Sequence, residues 1–113
     1  MKRLFLTLLL ATPLVCLAKT PACATWPTNM AIASLKNAGI TDPTRLDESK
    51  TNAVLLASEK TGEDLYRQIY NITFFEKSGT KIQVITSSVA SSTECSMSGV
   101  DVYIVSKKID GGL

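Results

Sequence analysis

Residues 65–75 read LYRQIYNITFF, and this stretch decides the fold. Aromatic and β-branched residues dominate it, which is typical of a β-strand. Successive side chains of a strand point to opposite faces of the sheet. The more apolar side, which we expect to be buried, carries Tyr66, Tyr70, Ile72 and Phe74.

A hairpin and a return strand follow. The turn KSGT contains Gly79, which can take the positive φ that tight hairpins need. The sequence KIQVIT, residues 81–86, alternates between apolar and polar residues and predicts the return strand. We interpret its polar continuation to Thr93 as an exposed edge or a bent extension. Residues 100–105 predict a last strand whose inward side carries Val100, Val102 and Ile104.

One helix is predicted before these strands, with a body from Thr28 to Ala38 and a cap at Thr25 or Trp26. Its apolar stripe is formed by Ala31, Leu35 and Ala38. Gly39 suits the left-handed position of a Schellman ending, in which Ile40 folds back on the helix.

Between the helix and residue 65 lies the short apolar segment AVLLAS, residues 53–58. Periodicity cannot separate a strand from a helical turn over so few residues, but we favour a strand that ends in a turn at residues 60–63. Short turns connect antiparallel neighbours. The sequence therefore predicts an α+β domain, with one N-terminal helix packed on a three- to four-stranded antiparallel meander sheet and one disulfide.

The start of the chain has the pattern of a cleavable signal peptide. Two cations, Lys2 and Arg3, precede an apolar run that is shorter than the about 20 residues needed to span a membrane. We place the signal peptide at residues 1–18; the alternative is cleavage after Ala24, which would remove Cys23.

Cleavage after Ala18 leaves a single domain at residues 19–113, with a frayed tail at 107–113. The pattern predicts export, with the periplasm favoured and the extracellular medium as the alternative. We expect no stable membrane insertion after signal removal. The residues before Cys16 and Cys23 do not favour a lipoprotein.

Removing the signal changes both the charge and the cysteine count. The chain has 12 Lys and Arg against 10 Asp and Glu, so loss of Lys2 and Arg3 leaves 10 against 10. A neutral domain lacks the basic stripe that nucleic-acid binding requires. Two cysteines remain, Cys23 and Cys95, and an oxidising compartment predicts that they form a disulfide.

Few residues of the chain are candidates for catalysis. The chain has no histidine, which is the commonest general base and metal ligand. We interpret the acidic pairs Asp47/Glu48 and Glu63/Asp64 as solvated turn charges, and the Ser-rich residues 87–96 as strand decoration. Asn71-Ile72-Thr73 matches a glycosylation sequon, but it lies in a predicted strand and we interpret it as strand sequence. We therefore expect a protein that is not an enzyme, with no cofactor and no metal.

A protein-binding face is the remaining functional prediction. One helix covers one face of the sheet, and the opposite face would carry Ile69, Phe75, Ile85 and Val105. Aromatic residues that serve either as interface anchors or as core are Trp26, Tyr66, Tyr70 and Tyr103.

The layout of a signal peptide and a helix tied to a sheet by one disulfide resembles that of small bacterial periplasmic proteins, including immunity proteins and lysozyme inhibitors. We expect a non-catalytic protein that binds another envelope or extracellular protein as an inhibitor, immunity or accessory protein. A structural, self-associating homo-oligomer is the alternative, and a small hydrolase is the least favoured.

Overall fold

The computed structural model describes residues 22–105. The predicted signal peptide at 1–18, its cleavage after Ala18 and the tail at 107–113 lie outside the described residues. Helix α1 is followed by two short 3-10 turns and four strands, whose bounds are Thr25–Asn37 for α1, Pro43–Arg45 and Glu48–Lys50 for the turns, Asn52–Gly62 for β1, Leu65–Phe75 for β2, Lys81–Ala90 for β3 and Asp101–Ile104 for β4.

The four strands form one antiparallel sheet in the order β1-β2-β3-β4, so each strand pairs with its neighbour in sequence. This is the predicted meander, with α1 packed against it, and the α+β prediction is confirmed. The segment at residues 53–58, where strand and helix were both open, belongs to β1.

Helix α1 begins earlier than its pattern predicts. Its N-cap residue is Ala24, which makes no side-chain capping bond, so neither Thr25 nor Trp26 is the cap. Pro27 is buried in the first turn, where its missing N–H removes no helical bond. Ala31 and Leu35 are buried as predicted, whereas Ala38 is exposed because it lies at the C-cap, where the chain leaves the sheet.

The helix ends in the predicted Schellman motif. Gly39 has a φ of 75°, and its N–H donates to the carbonyl of Lys36. The N–H of Ile40 donates to the carbonyl of Leu35 at 2.9 Å. Both bonds satisfy carbonyls that the last helical turn would leave without a partner.

The core lies between α1 and the two central strands. Alternate residues of β2 and β3 are buried, as the period of a strand requires. The buried apolar cluster consists of Ala31, Leu35, Leu46, Tyr70, Ile72, Phe74, Ile82 and Val84. Tyr66, predicted with this set, is half-buried, whereas the polar Gln68 on the same side of β2 is 1% exposed.

The turn between β1 and β2 lies two residues later than predicted. Strand β1 continues to Gly62, and the chain reverses at Glu63 and Asp64, where Asp64 has a φ of 57°. Asp is one of the few non-glycine residues that adopt this conformation readily. The strand passes the predicted turn because residues as far as Gly62 still pair with β2.

The last two strands need two further corrections. Strand β3 runs to Ala90 and lies between β2 and β4, so its polar extension is not an exposed edge. After β3, the loop that leads to β4 returns along β3, because the N–H of Met97 donates to the carbonyl of Val89. Ile104, predicted to face inward, is 46% exposed because β4 is the last strand of the sheet, whereas Val102 packs against the core.

The predicted disulfide joins Cys23 and Cys95, which are 72 residues apart in sequence and have their Cα atoms 5.4 Å apart. It connects the residues just before α1 to the loop that follows β3. The indole N–H of Trp26 adds a hydrogen bond to the carbonyl of Ser98 in the same loop. The start of the helix is therefore held to this loop by a covalent bond and a hydrogen bond.

Candidate functional site

The predicted binding residues all lie on the sheet face opposite α1, here called the open face. Ile69 on β2 shares this face with Ile85 on β3, since Ile69 pairs with Ser87 and Ile85 pairs with Asn71. Phe75 lies at the end of β2, opposite Lys81. Val105 follows β4 and donates its N–H to the carbonyl of Gln83, which places it opposite Gln83.

These four residues do not form one continuous apolar patch. Three of them are half-buried, and Val105 is 40% exposed. Phe75 lies six residues along β2 from Ile69, which is about 20 Å at the rise of a strand. Ile85 alone has an apolar neighbour directly opposite on β4, where it pairs with Tyr103.

The centre of the open face is polar and its side chains are bonded to one another. Gln83 donates from Nε2 to Oδ1 of Asn71 at 2.9 Å. Arg67 donates from Nη1 to Oγ of Ser87 at 3.0 Å. The sequon residue Asn71 is thus half-buried inside a strand and engaged with Gln83. The middle of this face therefore separates its apolar residues into distinct groups.

Exposed apolar residues concentrate at the two outer strands of the sheet. Among residues 22–105, six of the eight exposed large hydrophobic residues lie there, three on each side. The β1 edge is defined by Val54, Leu55 and Leu56, with exposed fractions of 44%, 39% and 54%. The β4 margin is defined by Tyr103, Ile104 and Val105. Each group is a run of three consecutive apolar residues on an outer strand or, for Val105, directly after it.

The aromatic residues divide between core and surface. Tyr70 is buried, and its hydroxyl accepts from the backbone N–H of Cys23. Trp26 and Tyr66 are half-buried. Tyr103 is 59% exposed, more than any other large apolar residue of the described chain. Of the four aromatic candidates, Tyr103 alone has the exposure that an interface anchor needs.

In each acidic pair, the aspartate accepts hydrogen bonds that stabilise a turn. Asp47 caps the second 3-10 turn, where its Oδ1 accepts from the hydroxyl of Ser49 at 2.6 Å. These bonds lower the pKa of the Asp47 carboxyl below its ordinary value. Asp64 accepts at both carboxylate oxygens from the backbone N–H and the hydroxyl of Ser92. Glu48 and Glu63 are exposed.

The Ser-rich segment builds the loop between β3 and β4. Ser91 is 6% exposed, and its hydroxyl accepts from the backbone N–H of Glu94 at 2.9 Å. The hydroxyl of Ser98 accepts from the N–H of Val89 at 2.9 Å. Side-chain bonds of this kind stabilise a loop in place of strand pairing. These hydroxyls therefore have a structural role in the loop that contains Cys95.

A shallow cavity of about 230 Å³ lies at the end of the β2–β3 hairpin, lined by Thr44, Arg45, Glu76, Lys77 and Ser78. Its carboxylate is already engaged, because Glu76 accepts from the buried Thr41 hydroxyl at 2.6 Å and pairs with Arg45 at 3.4 Å. Within residues 22–105, no three side chains of His, Cys, Asp or Glu are grouped as metal ligands. No helix in the same range is long and apolar enough to cross a membrane.

Comparison with protein-family models, curated proteins and solved structures finds no match to this chain.

Sequence reasoning missed the β1 edge. The run Ala53–Ala57 is apolar throughout, and such a run is typical of a strand buried on both faces. In the structure it lies at the edge of the sheet and is largely exposed. The order of the strands could have predicted this exposure, since the first strand of a meander lies at the edge of the sheet and has a neighbour on one side only.

Proposed function

We propose that this is an exported protein that acts without catalysis, by binding another envelope or extracellular protein as an inhibitor, immunity or accessory protein. The observation that carries the proposal is the β4 margin, where three consecutive apolar residues are each at least 40% exposed. Tyr103 and Val105 share the open face, and grouped exposed apolar residues are a mark of protein interaction sites. The Cys23–Cys95 disulfide supports export, because disulfides persist in oxidising compartments.

Tyr103 is the residue that we propose as the anchor. Its ring lies on the open face beside Ile85, with which it pairs across β3 and β4. Tyr is enriched among residues that dominate binding energy, because it offers a large rigid surface with a polar end. Asp101 lies two residues away on the same face and is exposed, so the apolar group has a polar rim.

The absence of catalysis is supported by what the candidate groups do. Asp47 and Asp64 accept hydrogen bonds that hold two turns. The hydroxyls of Ser91 and Ser98 hold the loop that contains Cys95. These residues have structural partners, so we assign them no part in a reaction.

The test is quantitative capture of partners from an envelope extract, with the chain expressed behind its own leader and purified oxidised. We expect one stoichiometric partner with the unaltered chain and at least a tenfold lower yield with Tyr103→Ala. Val54→Thr is the matched control, because it alters an exposed apolar residue on the opposite margin of the same face. Equal capture by Tyr103→Ala and the unaltered chain would place the interface elsewhere.

A further inference from the structure

We propose that two copies of this chain pair through their β1 edges, antiparallel and about a two-fold axis, so that four strands from each copy form one continuous sheet. Such a dimer would form at a surface separate from the β4 margin, where we propose that a different protein binds. Pairing at β1 leaves both β4 margins at the outer ends of the joined sheet, where they stay accessible.

The β1 edge is an edge strand with unpaired backbone groups. Strand β1 is 11 residues long, and within the described residues it pairs with β2 alone. Its outer side therefore presents backbone N–H and C=O groups that only another extended strand can satisfy as a set. The opposite end of the sheet is a poorer template, because β4 has four residues.

The helix leaves this edge uncovered. The buried residues of α1 pack with core residues of β2 and β3, and among the strands the helix lies closest to β3. Leu55 shares the helix-facing side with Tyr70, yet it is 39% exposed whereas Tyr70 is 4% exposed. A second copy approaching β1 would meet apolar side chains and no covering element of the described chain.

A bulge at the middle of β1 displays the most exposed side chain of the edge. The pairing with β2 shifts between Leu55 and Ala57, which leaves Leu56 as the extra residue. Sheet proteins use bulges and charged residues to block edge pairing. Here the extra residue is a leucine with 54% exposure, so the bulge presents an apolar anchor.

The bulge also specifies a register. Because Leu56 is an extra residue, odd-numbered residues lie on the open face after it, whereas even-numbered residues lie there before it. Val54 and Ala57 are therefore both on the open face. A two-fold axis between Leu55 and Leu56 then places Val54 opposite the second copy's Ala57. On the same face, Asn52 lies opposite the second copy's Glu59. Each pair joins residues of one face, as adjacent strands of a sheet require.

The charges of β1 are compatible with this register. Glu59 and Lys60 lie near its end, so in the pair they face the neutral Asn52 and Thr51 of the second copy. The two Glu59 side chains are then separated by seven residues, about 24 Å at the strand rise. That distance exceeds the screening length of about 8 Å at physiological salt. The neutral apolar centre is therefore the part that is buried, and like charges are kept apart.

The expected affinity follows from the size of the contact. Ten paired residues give a strip about 34 Å long. One strand pair with its flanking side chains lies at the small end of specific interfaces, so we expect a dimer that dissociates in the micromolar range.

The test is sedimentation equilibrium with light scattering on the oxidised full chain expressed behind its own leader, from about 1 µM to about 1 mM. We expect the mass to rise from one chain to two and then stop. Leu56→Lys should raise the dissociation constant about 30-fold or more, as loss of a central apolar anchor does. Ile40→Lys is the matched control, because Ile40 is an exposed apolar residue outside β1, and it should dimerise normally.

A second variant, Val54→Thr, keeps a β-branched residue in the strand and should weaken the dimer if Leu56→Lys fails to fold. A single-chain mass at every concentration would overturn the proposal. A dimer that survives both substitutions would overturn its location, and growth beyond two chains would overturn the two-fold axis. These variants leave Tyr103 intact, so loss of the dimer with retained partner capture separates this inference from the proposed function.

Discussion

The backbone N–H of Cys23 donates to the hydroxyl of Tyr70 at 3.3 Å, and both residues are buried. Tyr70 lies in the middle of β2 and belongs to the apolar core. The N-terminal end of the Cys23–Cys95 disulfide is therefore seated on the central sheet. Because of this contact the disulfide is part of the core, and loss of the disulfide should lower the stability of the whole domain.

Replacing both cysteines, Cys23→Ser with Cys95→Ser, should lower the free energy of unfolding by about 4 kcal/mol, since the bridge closes a long loop of the unfolded chain. That is a large share of the ~5–15 kcal/mol typical of small domains. Urea unfolding monitored by fluorescence of Trp26 measures the loss. Two free thiols in the unaltered protein by non-reducing mass mapping would contradict the assignment.

Leu35→Ala should destabilise the domain by about 2–5 kcal/mol, because it leaves a cavity where α1 meets the sheet. Leu35 is 2% exposed. The matched substitution Leu56→Ala removes the same atoms from a side chain that is 54% exposed, and should change stability by less than about 0.5 kcal/mol. Both are measured by urea unfolding at a concentration well below the dissociation constant proposed for the dimer, so that loss of the dimer does not contribute to the difference. Equal losses in the two variants would contradict the core assignment.

Thr86→Val should raise the free energy of unfolding by about 1 kcal/mol. Thr86 Oγ1 is buried, and no atom of the described chain forms a hydrogen bond with it. Burying a hydroxyl without a partner costs stability, and valine fills a similar shape without it. Thermal unfolding checks the gain, with Thr73→Val on the open face as control. A destabilised Thr86→Val protein would show that the hydroxyl has a bound partner such as water.

Acid should weaken the two turns capped by aspartate. The pKa of Asp47 is lowered from 3.8 because its carboxylate accepts from the hydroxyl and backbone N–H of Ser49, and Asp42 is lowered in the same way by Thr44. When the pKa of a carboxyl is lower in the folded state than in the unfolded state, the ionised group stabilises the fold, and this stabilisation is complete at a pH above the unfolded-state pKa. The stabilisation is lost as the pH falls through the folded-state pKa.

The double variant Asp42→Asn with Asp47→Asn keeps the acceptor oxygens and removes the titration. Its stability should therefore fall less than that of the unaltered protein between about pH 5 and pH 2. Urea midpoints across this range measure the difference. Parallel curves for the two proteins would show that these caps do not contribute to the acid dependence.

Most of the fold could be predicted from local pattern. The alternation in residues 65–75 gave β2 with its observed bounds, and Gly39 marked the end of α1 because a positive φ is needed there. The helix start and the β1–β2 turn were misplaced because local cues were weak. Trp26 and Thr25 do not cap, and Asp64 rather than Gly62 takes the positive φ.

The candidate site was harder to predict, because exposure depends on strand order and on where the helix lies. Parity correctly places Ile69 and Ile85 on one face, but it does not reveal that Asn71 and Gln83 bond to each other between the apolar groups. An apolar strand such as β1 looks buried until its place at the sheet edge is known. The protein-binding role of the open face remains a prediction.

Binding of a partner protein at the β4 margin can be tested by crosslinking in living cells. A photoreactive amino acid is placed at Tyr103, which is 59% exposed, or at Lys77, an exposed control in the β2–β3 turn. We expect one major adduct of defined mass from position 103 and none from position 77. Absence of any adduct at position 103, or the same adducts from both positions, would contradict it.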